Sequence, residues 1–240
     1  MAVLHQALNG HTVSIDVVGM ELSPLFNSYA DVFIGDQLYQ FASGNAGFAD
    51  RYAEYLQSPL TEEYAFQDGK LRVGHVQTMN RFGRPSVKRA VAAWNGSRFS
   101  LFTSLNLDEG TAALISLLNA LALQEAESGL IIHPRDPGQT RLRKIPRLVK
   151  WIDGVGVLDV EPLTPEVTRQ LPPYRGRSTP GGELFVDRRE AQTVGERVKP
   201  ATNIYVLVTP TARCSIGPDS RVLEPVLLER IARVRVEWRG

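Results

Sequence analysis

The feature that most constrains the fold is a strand, a short loop and a long apolar helix that follow one another near the middle of the chain. The strand is expected over residues 98–104, the loop over residues 105–110 and the helix over residues 111–127. The helix is apolar on nearly every side, which is typical of a helix buried in a domain core. Gly129 ends it, and residues 130–132 follow as a short buried strand. This order predicts a crossover connection in a parallel or mixed sheet, and hence an α/β fold with a buried central helix.

The loop in this segment has the layout of a phosphate-binding loop without its usual residues. Such a loop ends Gly-Lys-Ser/Thr, because the lysine neutralises the phosphates and the hydroxyl holds Mg²⁺. The corresponding residues here are Gly110, Thr111 and Ala112. Asp108 and Glu109 would repel a triphosphate, whereas they suit the positive N-terminal end of a helix. The segment therefore indicates how the chain folds more than what it catalyses.

Three turn dipeptides predict β-hairpins in the first hundred residues: Asn9-Gly10, Asp68-Gly69 and Asn95-Gly96. Each lies between strand-like runs, and these dipeptides favour the tight turns of two-residue hairpins. Between the first two hairpins, residues 47–56 are expected to form a helix, because its aromatic residues recur three to four positions apart. The first part of the chain is therefore expected to be rich in β-structure.

The predicted domain organisation is a β-rich α+β N-terminal part over residues 1–82 and an α/β core over residues 83–240, or one continuous domain. Within the core, prolines, glycines and a run of charges predict a long irregular excursion over about residues 165–200. Residues 203–208 are expected to form a strand. The last predicted elements, within residues 224–238, are a helix and then a strand of period two.

Composition narrows the classes of function. The formal net charge of +1 gives no general attraction to nucleic acid or to an acidic membrane. The single cysteine, Cys214, excludes an intramolecular disulfide and a cysteine-based zinc site. No stretch reaches the ~18 apolar residues that a membrane-spanning helix needs. We therefore expect a soluble cytoplasmic protein that binds neither membranes nor nucleic acid.

A cluster of basic residues follows the predicted strand that ends at residue 132. It runs to Lys150, and Asp136 is its one acidic residue. Such a cluster can hold a phosphate group, or it can be a solvated loop. Asp136 is the one candidate metal ligand, and it equally suits a turn in which its carboxylate accepts from backbone N–H groups. The candidate anion-binding residues are those of the phosphate-loop position and of this cluster, namely Gly110, Thr111, Arg135, Arg141 and Arg143.

The order of these segments resembles that of the HPr kinase-like proteins, which share a P-loop nucleotide-binding core with the phosphoenolpyruvate carboxykinases. The matching segments are a hairpin strand at residues 89–94, the turn Asn95-Gly96 and the strand at residues 99–103. Residues 145–151, Ile-Pro-Arg-Leu-Val-Lys-Trp, match a further family segment. The resemblance covers roughly residues 85–230 and rests on segment order and composition.

Of the family's loop glycines, lysine and hydroxyl, this chain keeps only Gly110. The resemblance therefore implies a degenerate phosphate loop, no catalytic residues, no cofactor, and a regulatory or scaffold subunit that binds another protein in a homo- or hetero-oligomer. Two alternatives stay open. One is an atypical phosphotransferase that uses Mg·ATP and recruits Arg135, Arg141 or Arg143 in place of the lysine. The other is an assembly component without nucleotide binding, whose residues 233–238 add to the edge of a partner's sheet.

Overall fold

The computed structural model describes residues 2–79, 85–106, 110–143, 146–189, 192–194, 197–199 and 202–240. Its elements up to residue 134 are β1 (Val3–Gln6), β2 (Thr12–Val17), β3 (Leu22–Ile34), β4 (Gln37–Asn45), α1 (Phe48–Tyr55), β5 (Leu60–Phe66), β6 (Gly69–Met79), β7 (Pro85–Asn95), β8 (Phe99–Asn106), α2 (Gly110–Asn119), β9 (Leu121–Ala126) and β10 (Gly129–Pro134). The later elements are β11 (Thr140–Leu142), β12 (Arg147–Ile152), β13 (Gly156–Pro162), α3 (Pro165–Thr168), β14 (Arg177–Thr179), β15 (Gly182–Arg189), β16 (Gln192–Val194), β17 (Arg197–Lys199), β18 (Thr202–Val208), β19 (Ala212–Pro218), α4 (Glu224–Ile231) and β20 (Val234–Arg239).

The chain divides into two compact units. The first unit comprises residues 1–5, 12–26 and 147–240, and the second comprises residues 6–11 and 27–146. The boundary expected between residues 82 and 83 lies outside the described residues. Within the described part of the chain, none of the helices is both long and apolar enough to cross a membrane.

The expected α/β fold with a buried central helix is wrong. The structure is mostly β, with 57% strand and 15% helix. Every strand pair whose register is described is antiparallel, including the pairs on both sides of β8, the strand that was expected to enter the phosphate loop. A crossover into a parallel sheet is therefore not how the central segment folds.

The prediction fails at the C-terminal end of α2, because the helix ends at Asn119 and not at residue 127. Beyond it, Leu121 and Leu123 are buried and alternate with less buried residues, which is the period of a strand. This strand, β9, pairs antiparallel with β10 across the two-residue turn at residues 127–128. Helix α2 itself is amphipathic, because it buries Leu114, Leu117 and Leu118 and exposes its other side.

In the second unit, an antiparallel sheet runs in the order β3-β4-β8-β7-β6-β5, and β11 pairs with β3. The predicted hairpins at Asp68-Gly69 and Asn95-Gly96 are confirmed as β5–β6 and β7–β8. The predicted helix at residues 47–56 is confirmed as α1, which packs against β4, β7 and β8 through Phe48, Ala49 and Ala53. The residues of these strands that point away from α1, such as Phe41 and Leu101, are buried as well.

In the first unit, an antiparallel sheet runs in the order β14-β15-β18-β19-β13-β12, with β3 next to β12. A second sheet of three strands runs in the order β1-β2-β20, which confirms the first predicted hairpin and the predicted C-terminal strand. The inward residues of both sheets are buried. The segment 165–200, expected to be irregular, contains α3 and β14–β17 in its described part.

The C-terminal strand β20 was a candidate for pairing with a partner's sheet. Its Val234, Val236 and Trp238 are buried, and the strand pairs with β2 along one edge. On the other edge, the backbone N–H of Trp238 donates to the hydroxyl of Thr211 at 2.9 Å. Gly181 lies so close to the carbonyl of Val234 that an added Cβ would come within 2.1 Å of its oxygen. These contacts occupy parts of the edge that a partner strand would need.

Candidate functional site

The three arginines of the predicted anion site have different partners in the second unit. Arg135 donates from Nε to a backbone carbonyl at the start of β9, at 3.1 Å. Arg143 forms an ion pair with Asp31 at 3.0 Å, and the guanidinium of Arg141 lies 5.0 Å from the centre of the Phe33 ring. Because both partners lie on β3, the structure brings Arg141 and Arg143 together along that strand, while Arg135 is engaged at β9.

The other two predicted anion-binding residues, Gly110 and Thr111, open helix α2. Gly110 has a φ of +67°, and a Cβ there would meet nothing within 4 Å, so its backbone conformation and not crowding favours glycine. Asp108 and Glu109 lie outside the described residues. A hollow of about 420 Å³ lies beside the end of β8 and is lined by Gln37, Leu38, Tyr39, Gln40, Arg89, Ser104 and Leu105.

Asp136 has a structural partner. Its Oδ1 accepts from the backbone N–H of Gly138 at 2.9 Å, and its carbonyl accepts from the N–H of Thr140 at 2.8 Å. These bonds form the turn that the sequence allowed as the alternative to a metal ligand. Among the residues that the structure describes, no group of three His, Cys, Asp or Glu side chains is placed to hold a metal ion.

A different surface, on the large sheet of the first unit, combines a hollow, charges and exposed apolar groups. Side chains along β12, β13 and β19 alternate between a buried inner face and an outer face. We call the outer face the open face. The strand register places its residues in three rows: Arg147, Glu161 and Arg213 in the first, Val149, Asp159 and Ser215 in the second, and Trp151, Val157 and Gly217 in the third.

The first two rows form the charged end of the open face. Arg147 donates from Nε to Asp159 Oδ1 at 3.0 Å, and its Nη2 bonds the second carboxylate oxygen. Arg213 pairs with Glu161 at 2.7 Å, where both side chains are about four-fifths buried. The Nε of Arg213 is fully enclosed and has no hydrogen-bond partner. The two ion pairs balance in charge, so this end is polar without being an anion site.

The third row forms the apolar end of the open face. Trp151 and Val157 are cross-strand partners, and they are 38% and 40% exposed. Gly217 adds no side chain beside them, and a Cβ there would lie 3.9 Å from Val157. Val157 and Gly217 line a hollow of about 410 Å³, which Ile204 of β18 and the residues of the two ion pairs also line.

The same alternation places Cys214 on the inner face, where it pairs with Val160 and Leu207. Burial raises the pKa of its thiol, and the charges of Asp159 and Glu161 raise it further. The thiol therefore stays protonated and behaves as a small apolar group rather than as a nucleophile. The ion pairs of this sheet therefore lie on the open face, and the side chains of the inner face are buried.

Comparisons with protein-family models, curated proteins and solved structures find no match. The assignment of function therefore depends on the geometry of this chain alone.

The sequence contained a signal for only one of the strands of the open face. Residues 158–161, Leu-Asp-Val-Glu, alternate apolar and polar side chains with period two, as expected for a strand with one face outside the core. Residues 147–152, Arg-Leu-Val-Lys-Trp-Ile, do not alternate, because Val149 and Trp151 lie on the outer face and Lys150 on the inner one. Arg147 was counted with the basic cluster, although in the structure Asp159 pairs with it. The grouping itself could not be read from the sequence, because it depends on β19 lying next to β13.

Proposed function

We propose that this chain is a non-catalytic regulatory or scaffold subunit that binds another protein, and that the open face is the contact surface. The observation that carries the proposal is the exposed cross-strand pair of Trp151 and Val157, of which Val157 lines the hollow. Tryptophan is enriched among the residues that dominate the energy of protein interfaces. The proposal rests on this surface and does not require descent from the HPr kinase-like proteins.

The charged end of the open face supports a protein as the ligand. Two balanced ion pairs give no net attraction to phosphate or nucleic acid, but they can fix the register of a partner whose charges complement them. The open face sets an exposed apolar pair next to a charged region, and protein interfaces also combine apolar and polar surface. We include a cytoplasmic location in the proposal, consistent with a single buried cysteine.

The proposal predicts site-specific crosslinking. A photoreactive phenylalanine analogue at Trp151, in the full chain expressed in its native cells, is expected to give one discrete protein adduct. The same analogue at Tyr55 is the control, because Tyr55 is 81% exposed but lies on α1 of the second unit. The absence of an adduct at Trp151, or the same adducts from both positions, would contradict the open face as the contact surface.

Once the crosslinked protein is identified, its affinity for the chain can be measured. Trp151→Ser is expected to weaken binding of that partner at least about tenfold, which corresponds to about 1.4 kcal/mol. The melting temperature should fall, because Trp151 is only 38% exposed, so the affinities are compared at a temperature at which both proteins are folded. Tyr55→Ser should leave the affinity unchanged. Equal losses in the two variants would show that the effect is not specific to the open face.

The proposal also predicts that Mg·ATP does not stabilise the protein. A ligand at a hundred times its Kd adds about 2.7 kcal/mol to stability, which a thermal melt detects easily. Without the phosphate-loop lysine and hydroxyl, we expect no saturable shift with Mg·ATP over that with Mg²⁺ alone. A saturable shift that Gly110→Val abolishes would instead favour the atypical phosphotransferase.

A further inference from the structure

Behind the open face, the first unit buries two basic side chains around one aromatic ring. The ring centroid of His5, on β1, lies 4.5 Å from that of Phe26, and the ammonium of Lys150, on β12, lies 5.8 Å from the same centroid. His5 is 4% exposed and Lys150 is 2% exposed. His5 Nε2 is fully enclosed and has no hydrogen-bond partner. We call these three residues the Lys150 cluster.

Apart from the face of the Phe26 ring, the surroundings of the Lys150 cluster do not compensate a positive charge. Burial, followed by the charge of Lys150, lowers the pKa of His5 to about 3, and burial lowers the pKa of Lys150 to about 8. No carboxylate among the described residues contributes to either pKa.

The other two strands of this sheet, β2 and β20, present apolar groups inward. The buried side chains of β2 and β20 are Val13, Ile15, Val17, Val234, Val236 and Trp238. The charged residues of the same strands occupy the alternate, less buried positions, and they are Asp16, Arg235, Glu237 and Arg239. An imidazolium at His5 would therefore be a second buried cation beside Lys150, and an uncompensated buried charge is strongly unfavourable.

We propose that protonation of His5 releases β1 from the three-stranded sheet, so that the first unit opens locally in acid before the protein unfolds. Strand β1 has four residues and lies at the edge of its sheet in the order β1-β2-β20. Its release gives His5 access to water and leaves the pair β2–β20 in place. Short edge strands are among the least costly elements to open. The inference is independent of partner binding at the open face.

The direction in which pH changes the opening equilibrium follows from the pKa of His5 in the closed and open states. In the closed state it is about 3, and in the open state it returns to the ordinary value of 6.5. The open state therefore binds more protons as the pH falls through 6.5, and the opening equilibrium rises. The expected increase is about 25-fold between pH 7 and pH 5, and about 200-fold between pH 7 and pH 4.

Amide hydrogen exchange of the full chain tests the proposal. After correction for the intrinsic rates, the opening constants of the β1 amides are expected to rise about 25-fold from pH 7 to pH 5. His5→Phe keeps an aromatic ring against Phe26 and should remove this dependence. His133→Gln changes a histidine that is exposed and bonded to Gln124, and should behave like wild type. The same pH dependence in His5→Phe and wild type would overturn the proposal.

A second measurement covers the case in which His5→Phe does not fold. In wild type, the nuclear magnetic resonance signals of the His5 ring should not titrate near pH 6.5 while the protein is folded. Lys150→Met removes the neighbouring cation but not the burial of His5, which is the larger cause of its low pKa, so β1 opening should keep most of its dependence on pH. Titration of His5 near pH 6.5 with β1 amides still protected would show that the charged ring is tolerated, and that the strand is not released by it.

Discussion

Replacing Lys150 with methionine is expected to raise the free energy of unfolding at pH 7 by about 2–3 kcal/mol. The amine is buried, and the pKa of Lys150 falls from 10.5 to about 8 because burial disfavours the charged form. At pH 7 the folded protein therefore carries the full cost of a buried ammonium. Methionine fills a similar volume without that charge. Chemical denaturation of the two proteins measures the difference.

The gain from Lys150→Met should depend on pH in one direction. It is constant below pH 8 and shrinks between pH 8 and pH 10.5, where the unfolded state binds more protons and the wild type gains stability. Lys70→Met is the control, since Lys70 is 70% exposed and pairs with Glu63, and its change should be within about 0.5 kcal/mol. A Lys150→Met variant that is less stable than wild type would show that the ammonium has a compensating partner.

Gly156→Ala is expected to cost about 4 kcal/mol, or to prevent the first unit from folding. Gly156 begins β13 with a φ of +120°, a conformation that residues with a Cβ rarely adopt. An added Cβ would lie 2.1 Å from the carbonyl oxygen of Gly217 and 2.7 Å from the amide nitrogen of Asp219. These atoms belong to the backbone of the neighbouring strand and the residue after it, so the contact cannot be relieved by a rotamer change.

Gly19→Ala separates the two causes of this cost. Gly19 lies in the same unit with a φ of +73°, but an added Cβ would meet nothing within 4 Å. Its substitution should therefore cost only about 1 kcal/mol, from the backbone conformation alone. Thermal unfolding of both variants gives the comparison. Equal losses would mean that the close approach of β13 to β19 is not what requires glycine at residue 156.

Local signals in the sequence predicted local structure well. The hairpins at Asp68-Gly69 and Asn95-Gly96 formed as expected, although none of these four residues has a positive φ, and it is Gln67 that adopts one, at +49°, in the first turn. Helix α1 and the C-terminal helix and strand were also predicted, since each has a clear period of apolar residues. The conformation of these elements depends on residues that are close in sequence, so it can be predicted from one sequence.

The prediction failed where short apolar runs fit either a helix or a strand. Leu121 and Leu123 continue the apolar character of α2, yet Asn119 ends the helix and β9 begins. Because this reversal of the chain was not recognised, the segment was interpreted as a crossover connection in a parallel or mixed sheet. The choice depends on pairing between β9 and β10, which periodicity alone does not reveal over so few residues.

The candidate site was harder to predict than the fold. The basic cluster predicted an anion site that includes Arg135, Arg141 and Arg143. In the structure, each of these arginines contacts a different residue. The open face instead combines Trp151, Val157 and residues of β19 that lie far along the chain. A surface that spans several strands depends on which strands are neighbours in the sheet. That order is difficult to infer from a single sequence.

The pairing of β2 with β20 also has a consequence for the timing of synthesis. Thr12 pairs with Arg239, and Val17 pairs with Val234, so β2 must wait for nearly all of the described chain to leave the ribosome. The ladders of β4, β7 and β8 join residues between 41 and 106 and can close much earlier. Until then, Val13, Ile15 and Val17 have no β20 to cover them. This interval is when a nascent chain of this kind most needs a chaperone.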